Sequence, residues 1–156
     1  MKAIAAPFRR LSLPAGFAVA IALAGCASLQ PPDPNAHLAT FTTRLAGTNE
    51  VPPNGSMGTG TVDAVLDKNT LLLRWKLSYG NLSGPPTMAH FHGPAEIGAN
   101  AGPVITFSPP LTAAYDGRAT LTPAQAAELL AGKWYANVHT ARFPGGELRG
   151  QMIERK

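Results

Sequence analysis

Three of the four histidines in this 156-residue chain fall in two short segments, Met88-Ala89-His90-Phe91-His92-Gly93-Pro94 and Asn137-Val138-His139-Thr140. In an extended strand, residues two apart project from the same face. His90 and His92 therefore point together with Met88 in their row, while Ala89 and Phe91 face the other way. Two imidazoles so spaced can hold one metal ion if a third ligand arrives from a neighbouring strand, and His139, also in a strand-like run, is the candidate. Copper or zinc would suit such a set, with the thioether of Met88 as a soft addition. The same residues also satisfy two other readings: a hydrogen-bonded polar cluster over the core, or a pocket for a different ligand. The fourth histidine, His37, lies in a proline-rich stretch and is expected to be solvated.

Other polar residues offer less. Glu50 and Glu96 lie in loops far apart in sequence, so nothing marks them as an acid–base pair. Glu96 is close enough to His92 in sequence to orient an imidazole from outside the ligand set, or else is a surface charge. Arg149, after a Gly-Gly turn, could draw an anion toward the histidines or simply sit at a strand edge. No Gly-x-Ser-x-Gly nucleophile motif and no phosphate-binding glycine loop occur.

The elements that must position these residues read as strands. Thr40–Leu45, Gly60–Leu66, Leu71–Tyr79, Thr87–His92, Val104–Phe107, Tyr115–Leu121, Trp134–Thr140 and Glu147–Ile153 alternate or run apolar between turn signals. The longest places Leu71, Leu73, Trp75, Leu77 and Tyr79 on one face, with Arg74 and Lys76 opposite. Between the sixth and seventh runs, Thr122 is a good N-cap and Pro123 fits a first helical position. Ala124–Ala131 is helix-prone and Gly132 closes it. About eight short strands with turns roughly every 8–12 residues predict an all-β, antiparallel Greek-key sandwich or barrel with one short helix.

The amino terminus has the parts of an export signal. Lys2, Arg9 and Arg10 precede the uncharged apolar run Leu11–Ala24, which is too short to span a bilayer as a permanent helix. Leu23-Ala24-Gly25-Cys26 resembles a bacterial lipobox, and Cys26 is the sole cysteine. The expectation is cleavage after Gly25, a lipidated (diacylglyceryl, palmitate-bearing) Cys26, and a tether through Leu38 carrying Pro31, Pro32 and Pro34. The β domain then spans residues 39–156. Ala27 and Ser28 leave no Asp beside the lipidated residue, which by resemblance to Gram-negative sorting favours the outer membrane over the inner. With Lys2, Arg9 and Arg10 removed, the formal charge falls from +4 to +1, ten basic against nine acidic residues. There is no basic patch interleaved with aromatics, so nucleic acid is not an expected partner. The membrane, through the lipid, and a metal ion or small ligand are. A core without disulfides can hold a domain of about 110 residues.

Four blocks in order resemble the chordin-domain (CHRD) family: Leu45-Ala46-Gly47-Thr48-Asn49-Glu50-Val51-Pro52-Pro53, Ala89–Ala95, Trp134–Thr140, and Phe143-Pro144-Gly145-Gly146-Glu147-Leu148-Arg149-Gly150-Gln151. The resemblance covers about Ala39 to Ile153 and implies an exported or lipid-anchored protein without an assigned reaction. A second set of features is similar to the copper side of Cu/Zn superoxide dismutases: His-x-His on one strand, a late histidine, and an arginine after a glycine-rich turn. That likeness implies His90, His92 and His139 as copper ligands and Arg149 as the anion-steering residue. The chain has no histidine for the bridging and zinc positions and no disulfide cysteines, so it implies a copper-only site. Three functions follow as expectations: a non-catalytic envelope module holding copper or zinc, a copper-only dismutase-like enzyme, and a structural or adhesive domain without metal.

Overall fold

The computed structural model describes Pro31 and residues 33–155. The export signal, Cys26 and the start of the tether lie outside the described residues. Nine strands and one helix follow in order: β1 Leu38–Ala46, β2 Thr59–Asp67, β3 Leu72–Gly80, β4 Pro86–His92, β5 Pro103–Thr106, β6 Ala114–Thr120, α1 Pro123–Leu130, β7 Trp134–Thr140, β8 Leu148–Met152 and β9 Glu154–Arg155. β1 begins inside the segment expected to be tether. The His37 carbonyl accepts a hydrogen bond from Lys68 N at 2.9 Å, which ties the approach to the barrel down.

The strands form one antiparallel sheet in the order β5-β4-β7-β8-β1-β2-β3-β6, with β9 added against β1. Alternation sets what each strand buries. Phe41, Thr43 and Leu45 of β1 face Ala64, Val62 and Gly60 of β2, and the β2–β3 register continues with Val62 opposite Leu77 and Ala64 opposite Trp75. The tight β2–β3 turn is closed by Asp67 Oδ1, which accepts from Asn69 N at 2.9 Å and Thr70 N at 3.2 Å. Trp75 lies across from Gly117 in β6, and a side chain at that glycine would strike the indole ring.

The two ends of the sheet approach each other and nearly close a barrel. Phe107, just beyond β5, stacks on Tyr115 of β6 with ring centroids 5.4 Å apart, and Tyr115 Oη accepts from Ser108 N at 3.1 Å. Trp75 packs against both Phe107 and Phe91 in the interior. The expected all-β antiparallel architecture is therefore realised as a nearly closed barrel of eight strands. α1 has the expected start: Thr122 Oγ1 accepts from Gln125 N while Gln125 Oε1 accepts from Thr122 N. It buries Ala126 and Leu129 and ends before Gly132, which takes φ +71°.

Candidate metal centre

β4 and β7 are neighbours, and their register builds the site. Ala89 and Phe91 enter the barrel interior with no exposure, so His90 and His92 point to its outer face. Opposite them, β7 turns Trp134, Ala136 and Val138 inward and Tyr135, Asn137 and His139 outward. All seven residues of β7 are nonetheless buried, because loops cover the outside of this strand as the barrel covers its inside. The outcome is a polar layer enclosed between sheet and loops.

Within that layer, ligand-type nitrogens of His90, His92 and His139 all lie within 4.8 Å of one another. His90 Nδ1 is 3.1 Å from His139 Nε2. The far nitrogens of two rings are committed: His92 Nδ1–H donates to the Ala101 carbonyl at 2.9 Å, and His139 Nδ1–H to the Pro144 carbonyl at 2.9 Å. A carbonyl only accepts, so these bonds place a proton on each Nδ1 and turn both Nε2 atoms into the cluster. Burial, with the neighbouring His139 and His92, pushes the pKa of His90 down to about 4, against the opposing hydrogen bond it donates to Asn137. Burial likewise lowers His139, opposed by its bond to Pro144 and reinforced by His92. At neutral pH, His90 and His139 are therefore neutral donors, the form a metal ion requires.

The carbonyls that orient the rings are themselves held. The Pro144 turn joins β7 to β8 and is pinned by Glu147, which has no exposure. Its carboxylate accepts from Ser56 Oγ (2.6 Å), Ser83 N (2.8 Å), Ser83 Oγ (2.7 Å) and Thr140 Oγ1 (2.5 Å). Burial alone would raise its pKa, and these donors together hold it below the usual value. Ala101 belongs to the loop after β4. Tyr135 Oη contacts both the Ala101 amide and carbonyl at 3.3 Å, and its ring stacks on His92 with centroids 4.7 Å apart.

Arg149 serves that same loop. Its guanidinium sits 3.5 Å from the Tyr135 ring centroid, and donates to Asn100 Oδ1 at 2.8 Å and to the Ala99 carbonyl at 2.5 Å. At 2 % exposure, with these partners, it clamps that loop. Met88 pairs with His139 in the β4–β7 register and is 44 % exposed at the rim. Glu96 does not orient an imidazole: it pairs with Lys133 at 3.3 Å on the surface. His37, outside the cluster, is half-buried beside β1.

Asn137 is the site residue that sequence reasoning passed over. Its Oδ1 lies 3.0 Å from His92 Nε2 and 2.9 Å from His139 Nε2. The available signal was its place two residues before His139, on the same face of a strand where asparagine is a poor strand former. Three imidazoles and a carboxamide oxygen so arranged can hold a borderline divalent ion such as zinc or copper.

No curated protein and no solved structure matches the chain. The family model for the CHRD domain matches residues 41–152, from β1 through β8 and across the whole histidine layer, so the chain belongs to the CHRD-domain family.

Proposed function

We propose that the protein is a non-catalytic, metal-holding module of the bacterial cell envelope, tethered to the outer membrane by lipid on Cys26 and binding copper or zinc through His90, His92 and His139. The observation that carries the metal reading is the pair of ring-to-carbonyl bonds, His92 to Ala101 and His139 to Pro144, which turn two Nε2 atoms toward one point beside His90. Metal titration separates this reading from a metal-free hydrogen-bonded cluster, whose buried N–H groups need the same acceptors. The envelope reading rests on the charged start, apolar run and Leu-Ala-Gly-Cys order of the leader.

The test is metal titration of the unlipidated chain from Ala27 onward, which retains every strand and core residue of the barrel. Calorimetry with copper and zinc at neutral pH should give one ion per chain. The His90→Ala/His92→Ala/His139→Ala variant should bind neither while melting cooperatively. Absence of binding in the unaltered chain, or equal binding in the variant, would discard the metal role and leave an interaction domain with architectural histidines.

A further inference from the structure

The three-histidine reading leaves one coordination position undefined, and the structure puts a specific group there. Asn137 Oδ1 is 3.0 Å from His92 Nε2 and 2.9 Å from His139 Nε2, while His90 Nδ1 is 3.1 Å from His139 Nε2. Donors bound to one zinc or copper ion at about 2.0–2.2 Å stand roughly 3–3.5 Å from their neighbours in the coordination sphere. Three contacts link the four atoms in a chain at that spacing, and the three imidazole nitrogens all lie within 4.8 Å of one another.

Ring orientation makes the case stronger. His92 and His139 each donate Nδ1–H to a backbone carbonyl, which turns both Nε2 atoms toward the Asn137 oxygen. Where those nitrogens carry no proton the oxygen faces lone pairs, and a cation among the three atoms relieves the repulsion. Turning the carboxamide by half a revolution replaces the oxygen with Nδ2, whose two N–H groups can donate one to each Nε2. Asn137 is 3 % exposed and its side-chain partners among the described residues are the imidazoles of the cluster, so either state must be satisfied there.

We propose that Asn137 Oδ1 is a fourth metal donor, so that the loaded site is a closed set of three nitrogens and one oxygen, and that the same carboxamide turns over to donate from Nδ2 when the metal leaves. This inference rests on the metal reading above and narrows it. A closed set has no position for an exogenous ligand, which is the arrangement of a structural or storage site rather than of a catalytic one.

The experiment uses the chain from Ala27 loaded with Co(II) or Cu(II), alongside Asn137→Leu and Asn137→Asp. The unaltered protein should show a visible ligand-field spectrum that azide does not change. Asn137→Leu, similar in size but without a donor, should bind about tenfold or more weakly, since even outer partners of metal ligands are worth that much. Its spectrum should shift, and azide should now perturb it, because water takes the vacated position. Asn137→Asp restores an oxygen and should recover the azide-insensitive spectrum. A residue needed only for packing would move the metal-free melting temperature of the variants but not the azide response. An azide-responsive spectrum in the unaltered protein, or an Asn137→Leu variant with unchanged affinity and spectrum, would overturn the fourth donor while leaving the three-histidine site standing. Failure of the unaltered chain to bind either metal would overturn both.

Discussion

Two buried glutamates flank the histidine layer and titrate in opposite directions, and the number of donors around each explains why. Glu147 has four hydrogen-bond donors within 2.8 Å and stays ionised despite complete burial. Glu50, 6 % exposed, lies against Gly146, which takes φ +133° and has no room for a side chain beside that carboxyl. Its Oε1 has no hydrogen-bond partner among the described residues. Burial raises its pKa from 4.5 to about 7, opposed by the charge of Arg149 and the Val51 backbone N–H. The folded protein thus keeps a proton that the unfolded chain releases. This contribution to stability is fully present below about pH 4.5 and is lost as pH rises through about 7. In metal-free protein, Glu50→Gln should therefore gain on the unaltered chain between those pH values, by at most about 1.4 kcal/mol per pH unit. Thermal melts across the range would show a widening gap that levels off above pH 7; a constant gap would contradict the protonated Glu50.

At the scale of elements, the loop between β4 and β5 converts a strand pair into an enclosed site. It is held at both ends and in the middle: Gly93 N donates to the Gly102 carbonyl, Ala95 N to the Lys133 carbonyl, and Gln151 Nε2 to the Ala95 carbonyl. Asn100 Nδ2 donates to the Val51 carbonyl, so the two loops over the site support each other. Arg149 is the central clamp, and it works because a planar guanidinium can stack on Tyr135 while its edge reaches two acceptors. Lysine cannot do both. Arg149→Lys should lower stability by about 2 kcal/mol and speed amide exchange through Ala99–Ala101, with β1–β3 protection unchanged. Metal affinity should fall with it, because the Ala101 carbonyl no longer fixes the His92 tautomer. Unaltered exchange in that loop would show that Arg149 is not the clamp.

For the molecule as a whole, the barrel and the leader divide the work. The strands begin at Leu38 and the interior is built from Phe41, Leu45, Leu66, Leu73, Phe91, Trp134 and their neighbours, with no cysteine among them. The proposed anchor chemistry at Cys26 is thus separable from the fold. Cys26→Ala should abolish incorporation of radiolabelled palmitate in cells and leave the barrel's melting temperature unchanged. Persistent labelling would remove the lipoprotein reading, while leaving the metal centre to be judged on its own titration.

Whatever depends on local geometry was legible in the linear order of residues. Period-two alternation located all the long strands to within a residue or two, Thr122 and Gly132 bracketed the helix, and the two-residue step from His90 to His92 put both rings on one face. What lies next to what was decided only in three dimensions. His139 is 49 residues from His90, and it arrives because β7 inserts between β4 and β8. The closure of the barrel depends on Phe107 meeting Tyr115 across the seam, a contact no alternation encodes. The clamp that Arg149 makes had no signature, because strand position says nothing about which loop will fold over it. Asn137 and the Ala101 and Pro144 carbonyls were silent for the same reason: a backbone acceptor has no sequence signature, and a carboxamide acquires its role only from the rings placed around it. Local pattern sets the direction of a side chain; its partners are set by long-range packing, which the alternation of a single strand does not encode.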